Sequence, residues 1–189
     1  MRDGDVRGAL HSLLNQEHRS ELAQTRFVDE LDLCGQVRVD VAVINGQLSG
    51  YELKSERDTL RRLPAQVEMY SRVLDRATLV VAERHLDHAR PLLPTWWGLM
   101  VASSTDEGVA LRHEALPLEN PNVSPRDLVQ LLWRDEVLAE LVERDLDRGV
   151  RSKSRQIMWT RLAENVPLAE LRMIVRERLK HRERWRVAR

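Results

Sequence analysis

The chain has 189 residues, of which 42% are hydrophobic and 32% are charged, with 30 basic and 30 acidic side chains. This composition is typical of a folded globular protein and excludes a largely disordered chain, and no apolar run approaches the roughly 20 residues that cross a bilayer. The single cysteine, Cys34, excludes an internal disulfide framework and a cysteine-rich zinc site; with an acidic start that does not resemble a signal peptide, it favours a cytoplasmic location.

The net charge of zero conceals an asymmetry along the chain. Residues 151–189 carry twelve basic and four acidic side chains, a net charge of +8, so the first 150 residues carry −8. An acidic body with a basic C-terminal segment suits a protein that binds metal in one region and phosphate in another. A solvated helix rich in arginine would have the same composition, and both interpretations stay open.

Alternating helix and strand patterns predict eight elements in the first 120 residues. In chain order they are a helix at 5–14, strands at 37–44 and 47–55, a helix at 64–74, a strand at 76–82, a short helix at 86–93, and strands at 98–103 and 109–113. Residues 17–35 show no clear pattern beyond a short strand or turn near Glu30. This order predicts an α/β fold with a mixed sheet flanked by helices.

After residue 120 the pattern becomes helical to the end of the chain. The predicted helices cover 125–133, 135–146, 154–163 and 168–185, and the first begins with an N-cap serine followed by a proline. We therefore predict two regions, a core over residues 1–120 and a basic helical subdomain over 121–189.

The predicted hairpin at residues 37–55 carries the clearest chemistry. Side chains alternate between the faces of a strand, so Asp40 shares a face with Arg38, and Glu52 shares a face with Lys54. A two-residue Asn45-Gly46 loop would place charged residues opposite the valine face. A three-residue loop, or a bulge near Ser49-Gly50, avoids this: 44–46 in the loop sets Asp40 opposite Gly50, and 45–47 sets it opposite Glu52.

Either of these registers brings two carboxylates and an ammonium together on one face. Two adjacent acids repel each other unless a cation lies between them, and a divalent metal such as Mg²⁺ or Mn²⁺ prefers such oxygen ligands. Lys54 beside the metal could orient or deprotonate a water molecule, or stabilise charge on phosphorus. The alternative is an exposed hairpin on which Asp40, Glu52 and Lys54 form a surface ion-pair cluster.

An aspartate on one strand, Glu-X-Lys on the next and then a helix resemble the PD-(D/E)XK nuclease superfamily. The matching residues are Val39-Asp40 and Glu52-Leu53-Lys54, and the segment 66–70 resembles the Gln-X-X-X-Tyr helix of the RecB-like branch. The stretch from 38 to 82 looks like a small uncharacterised bacterial family of that superfamily. The proline that often precedes the aspartate is absent here.

The resemblance implies a role for each matching residue. Asp40, Glu52 and the Leu53 carbonyl would hold Mg²⁺ or Mn²⁺, Lys54 would activate water, and Gln66 and Tyr70 would shape the site. An upstream acid often completes such sites, which makes Glu30 the first candidate for a further metal ligand and Glu17 and Glu21 the next. The implied restriction-endonuclease-like fold agrees with the predicted α/β order.

Basic residues in two segments are candidates for binding the nucleic-acid backbone. They are Arg57, Arg61, Arg62, Arg176, Lys180 and Arg184. The sequence therefore predicts a metal-dependent nuclease, acting on DNA in preference to RNA, without a nucleotide cofactor or a membrane partner; a homodimer is an open option. The alternatives are an inactive module with the same fold that binds nucleic acid or protein, and an interaction domain whose C-terminal helices dimerise.

Overall fold

Six strands form one mixed sheet in the computed structural model, which describes residues 1–182. The strands are β1 (Arg26–Leu33), β2 (Val37–Ile44), β3 (Leu48–Lys54), β4 (Arg76–Ala82), β5 (Gly98–Thr105) and β6 (Gly108–Ala115). Their order in the sheet follows their order in the chain. The β3–β4 and β4–β5 pairs are parallel and the other three are antiparallel, which confirms the predicted mixed α/β fold.

Seven α-helices accompany the sheet within the described residues. They are α1 (Asp3–Glu17), α2 (Leu63–Val73), α3 (Leu86–Ala89), α4 (Pro125–Leu128), α5 (Arg134–Glu143), α6 (Arg155–Asn165) and α7 (Leu168–His181). Among residues 1–182 no helix combines the length and the apolar character needed to cross a membrane.

The chain divides into two compact units, Met1–Asn122 and a second that begins at Val123. The first unit contains the whole sheet with α1 to α3, and the second contains α4 to α7. The division lies two residues beyond the boundary predicted after residue 120.

Helix α1 covers one face of the sheet. Its residues Val6, Leu10 and Leu14 are buried in a cluster that also includes Val41 of β2 and Leu53 of β3. Because side chains alternate along a strand, Glu52 and Lys54 point to the opposite face. That face receives α2, whose Tyr70 and Gln66 both reach Glu52.

Two elements differ from the sequence prediction for identifiable reasons. Strand β1 runs for eight residues in a segment whose sequence shows no clear strand pattern. The pattern is obscured because Glu30, with a left-handed backbone of φ +55°, interrupts the alternation of side chains. The helix predicted at 86–93 is only four residues long, since Pro91 lies in a 3-10 turn at Arg90–Leu92 that ends it.

The second unit is a small helical assembly with its own buried residues. Leu128, Leu141, Leu162, Leu171 and Leu179 are each no more than 2% exposed. Trp133, predicted to end the first of these helices, instead precedes α5, and the Arg182 guanidinium stacks 4.1 Å from its ring centroid. The helix predicted at 168–185 ends at His181 in the structure. Of the remaining predicted residues Arg182 is described, and 183–185 lie outside the described residues.

Candidate active site

The β2–β3 hairpin adopts one of the two registers predicted from the sequence. Ile44 pairs with Leu48 and Ala42 with Gly50, so Asn45, Gly46 and Gln47 form a three-residue loop. Inside it, the Asn45 N–H donates to the Gln47 carbonyl at 3.1 Å. Continued along the strands, this register sets Asp40 opposite Glu52.

Followed from the hairpin loop, the regular pairing of β2 with β3 ends at Val41 and Tyr51, so that it stops just short of Asp40. Beyond this point the side chain of Asp40, and not the backbone of β2, bonds to β3: its Oδ2 accepts a hydrogen bond from the Leu53 N–H at 2.7 Å. The carboxylate is thereby held where the two strands separate. This Leu53 bond links Asp40 to the residue between Glu52 and Lys54.

The predicted alternation of valines along β2 is wrong at Val39. Val41 and Val43 belong to the cluster under α1, but a Cβ added to Gly50 would lie 3.0 Å from Val39 Cγ1, which places Val39 on the opposite face. The change of face coincides with Glu30 on the neighbouring strand, whose left-handed backbone lies between the regular β1–β2 pairs. Both strands are therefore distorted at the level of Asp40.

Glu52 is buried, 1% exposed, and each of its carboxylate oxygens accepts hydrogen bonds from protein donors. Lys54 Nζ and Gln66 Nε2 donate to Oε1, the latter at 2.6 Å, while the Tyr70 hydroxyl donates to Oε2 at 2.5 Å. Gln66 and Tyr70 are four residues apart on α2 and so share one face of it. The structure thus joins by hydrogen bonds four of the five residues that the sequence assigned to the site, and the fifth, Asp40, is bonded to the Leu53 N–H between Glu52 and Lys54.

Tyr70 is held on two further sides. Its ring stacks on Trp97 with centroids 5.5 Å apart, and its hydroxyl lies 3.1 Å from the Arg38 carbonyl. Trp96 and Trp97 are buried, at 5% and 3% exposed. Trp97 holds the Tyr70 ring that positions Glu52, and Trp96 packs against Trp97 with ring centroids 5.8 Å apart.

The electrostatics of the site centre on Asp40. The pKa of Asp40 is raised to about 7, first by burial and then by the nearby Glu52 carboxylate, against the opposing effects of the Leu53 N–H, Lys54 and Arg7. Burial, and then the Glu52 carboxylate, also raise the pKa of Tyr70 well above its ordinary value. Tyr70 therefore stays a protonated donor, and the carboxyl group of Asp40 titrates near neutral pH.

The site has two carboxylates, Asp40 and Glu52, and does not extend to a third. Residues 1–182 contain no group of three or more His, Cys, Asp or Glu side chains placed to hold a metal ion. Glu30, the predicted further ligand, instead forms ion pairs with Arg7 at 3.2 Å and Arg38 at 3.4 Å. The two runners-up pair with histidines, Glu17 with His113 and Glu21 with His18.

Three of the predicted nucleic-acid contacts lie directly after Lys54. Arg57, Arg61 and Arg62 are exposed, and none of them has a hydrogen-bond or ion-pair partner among the described residues. The chain turns at this point because Asp58 Oδ2 accepts hydrogen bonds from the N–H and the hydroxyl of Ser55. We call Arg57, Arg61 and Arg62 the arginine patch.

Several basic side chains in and just after helix α7 form ion pairs with acidic residues of the second unit. Arg178 binds Glu140 and Arg182 binds Glu136, both within the second unit. Of the predicted contacts, Lys180 pairs with Glu177 at 2.7 Å, Arg176 is half-buried, and Arg184 lies outside the described residues. The excess charge of this segment is therefore partly neutralised by acids of the same unit.

Sequence reasoning missed Arg7, which reaches the site from α1. Its Nη1 donates to the Asp40 carbonyl at 2.5 Å, and its Nη2 lies 3.6 Å from Asp40 Oδ1. The sequence places Asp3 four residues before Arg7, a spacing that is common for ion pairs within a helix. This spacing does not indicate that Arg7 also contacts β2.

Comparisons with known proteins place the chain in a family. The family profile described as Bacteriophage P4 protein cII matches residues 6–186. Protein cII of Enterobacteria phage P4 is 24% identical over 113 residues, which cover 59% of this chain and 42% of that protein, so the match spans less than half of the relative's length. Among solved structures, the SPO1766 protein of unknown function from Silicibacter pomeroyi is 21% identical, covers 71% of this chain and 88% of its own, and has a TM-score of 0.42. Because the profile spans nearly the whole sequence, this chain belongs to the Bacteriophage P4 protein cII family.

Proposed function

We propose that this chain is a metal-dependent nuclease of the PD-(D/E)XK type, which hydrolyses phosphodiester bonds with Asp40, Glu52 and Lys54. The observation that carries the proposal is the pairing of two buried or half-buried carboxylates, with the only buried lysine of the described residues bonded to one of them. A chain without chemistry at this point gains nothing from desolvating three ionisable groups together. Such groups cluster at catalytic sites.

Each residue of the site has a distinct part in the proposed reaction. Asp40 and Glu52 would hold Mg²⁺ or Mn²⁺, which when bound supplies Lewis-acid polarisation of the phosphoryl group and of water. Lys54 would orient the attacking water or stabilise charge on phosphorus, with the compact ammonium that this task requires. Gln66 and Tyr70 hold the Glu52 carboxylate in one orientation.

The arginine patch would bind the substrate. Its three exposed guanidinium groups follow Lys54 within eight residues along the chain and are free to contact phosphates. We take DNA as the first substrate to test, and the single cysteine is consistent with action in the reducing cytoplasm.

The test compares cleavage of plasmid, linear duplex and single-stranded DNA, and of RNA, in Mn²⁺ and in chelator. We expect cleavage by the wild type in Mn²⁺, and a loss of at least about 100-fold in Lys54→Met and in Asp40→Asn. Lys153→Met, which removes an exposed lysine of the second unit, is the matched control and should cleave at the wild-type rate. Cleavage by Lys54→Met at the wild-type rate would refute the proposal.

A second candidate is an inactive module that keeps the fold and binds nucleic acid or a protein partner. The observation in its favour is that three protein donors already satisfy the Glu52 carboxylate. In the same experiment, binding of DNA by the wild type and by Lys54→Met with no cleavage in either would support the module.

A further inference from the structure

Arg7 is the centre of an acidic cluster beside the proposed active site. Its guanidinium is shared by Asp3 of α1, Asp29 and Glu30 of β1, and Asp40 of β2, at 3.2 to 3.8 Å from their carboxylate oxygens. We call these five residues the Arg7 cluster. The side chain of Arg7 is 20% exposed, and the exposed fractions of the Asp3, Asp29 and Glu30 side chains are more than twice as large.

The position of Arg7 is that of a second cation. In sites that bind two metal ions, a second cation lies beside the first. Arg7 Nη2 lies 3.6 Å from Asp40 Oδ1, on the side of Asp40 away from the Leu53 N–H. A divalent ion at this place would have to displace a guanidinium that is permanently charged and fixed by several acceptors.

Arg7 also fixes the main chain that carries Asp40. Its Nη1 donates to the Asp40 carbonyl, at the residue where the regular β2–β3 pairing has ended. The Leu53 N–H holds the carboxylate from the other side. Asp40 is thereby constrained through its backbone and its side chain, and Glu30 is kept in an ion pair away from it.

We propose, on the basis of the proposed function, that Arg7 is a positioning residue that takes the place of a second metal ion. Its guanidinium withdraws Asp3, Asp29 and Glu30 from metal binding and anchors the Asp40 backbone, so that Asp40 and Glu52 hold a single divalent cation. The site is then a one-ion site because of a residue contributed by the first helix.

The test measures the number of bound Mn²⁺ ions per chain by equilibrium dialysis, and their mutual coupling by electron paramagnetic resonance. We expect the wild type to bind one magnetically isolated ion, and Asp40→Asn or Glu52→Gln to bind none. Arg7→Met should bind a second ion coupled to the first, and the double variant Arg7→Met with Glu30→Gln should return to one. Arg112→Met, which removes an exposed arginine of β6 from its pair with Glu114, is the control and should match the wild type.

The possible results separate the two proposals. One ion in the wild type and one ion of unchanged affinity in Arg7→Met would overturn the inference and leave the proposed function standing. No ion in the wild type would refute the metal-dependent function itself. If Arg7→Met does not fold, Glu30→Gln decides: affinity for Mn²⁺ within about twofold of the wild type supports the inference, and a loss of roughly tenfold or more, as for a lost ligand contact, overturns it.

Discussion

Asp40 combines a half-buried carboxyl group with an acidic neighbour, Glu52, and a fixed hydrogen-bond donor. Its Oδ2 accepts from Leu53 while Glu52 lies close enough to disfavour a second negative charge. Burial is the largest cause of its raised pKa, so in the metal-free protein its ionisation near neutral pH is a property of the fold. This places a titration of the site within the pH range of ordinary assays.

The metal-free protein should therefore become less stable as the pH rises toward neutrality. The pKa of Asp40 is about 7 in the folded chain against an ordinary value of 3.8, so the folded state binds the proton more tightly. This stabilisation is complete below about pH 4 and is lost as the pH rises through 7, at up to about 1.4 kcal/mol per pH unit. Urea unfolding in chelator between about pH 5 and pH 8 measures it.

Asp40→Asn is the reference for this measurement. An asparagine keeps an oxygen that can accept from the Leu53 N–H but cannot ionise, so the free energy of unfolding of the variant should lack the Asp40 contribution to the slope. If the wild type and Asp40→Asn show parallel pH dependences, the raised pKa is wrong.

The sequence predicts a site residue when a local pattern places it, and does not predict one that is placed by contacts between separate elements. Glu52 and Lys54 follow from strand alternation, and Gln66 and Tyr70 from helical spacing, because both patterns are local. Arg7 could not be foreseen, since its partners come from three different elements. The ion pairs of Glu30, the first candidate for a further metal ligand, have the same origin: Arg7 and Arg38 come from other elements, and no local pattern indicates that they bind it.

The β2–β3 hairpin is the element on which the geometry of the site depends. Its three-residue loop sets the register, and Gly50 on β3 allows the end of α2 to approach closely. A Cβ at Gly50 would lie 2.5 Å from Leu74 Cδ1 and 3.0 Å from Val39 Cγ1. A larger residue at this place would force the buried side chain of Leu74 or Val39 to move.

Gly50→Ala should destabilise the protein by about 1–3 kcal/mol, because a methyl group would overpack a buried contact. Gly46→Ala, four residues earlier in the hairpin loop, is the matched control. Nothing lies within 4 Å of a Cβ at Gly46, so its effect should stay within about 0.5 kcal/mol. Chemical denaturation of both variants measures the difference, and equal stabilities would contradict the packing of α2 against β3.

At this scale the sequence predicts the regular elements and fails at the irregular ones. The bounds of β2 are those predicted, since its period of two is uninterrupted in the sequence. The change of face at Val39 and the left-handed Glu30 leave no trace in hydrophobic patterning, because both result from pairing between strands. The distortion that creates the site is therefore the part that patterning could not supply.

Among the described residues, some arginines are exposed and others form ion pairs inside their own unit. The +8 of the C-terminal segment suggested a phosphate-binding surface, yet Arg178 and Arg182 bind Glu140 and Glu136 of the same unit. The arginine patch, which contributes little to the overall charge asymmetry, is exposed and follows Lys54 in the chain. Net charge along the sequence therefore does not reveal which arginines form ion pairs inside their own unit.

Replacing the three residues of the arginine patch by alanine should weaken DNA binding in a salt-dependent way. Each lost phosphate contact lowers the slope of log affinity against log salt by about 0.9, so the triple variant should lose roughly 2–3 from the slope. Fluorescence anisotropy on labelled duplex DNA in a salt series measures it.

A matched triple variant removes the same charge from exposed arginines that already form surface ion pairs. These are Arg90, Arg112 and Arg126, with partners Glu114 and Glu164. Their replacement should leave the slope unchanged. Equal slopes for the two triple variants would show that the arginine patch does not contact the phosphates.

The coincidence of strand order with chain order has a consequence for synthesis. Each strand of the sheet can add to the edge left by the one before it, so no strand must wait for a distant segment to emerge from the ribosome. Asp40, Glu52, Lys54, Gln66 and Tyr70 lie on β2, β3 and α2, whereas Trp97, against which Tyr70 stacks, is translated later. The nascent protein can thus form the framework of the candidate site early, and Trp97 can stack on Tyr70 only after the connection from β4 to β5 has been made.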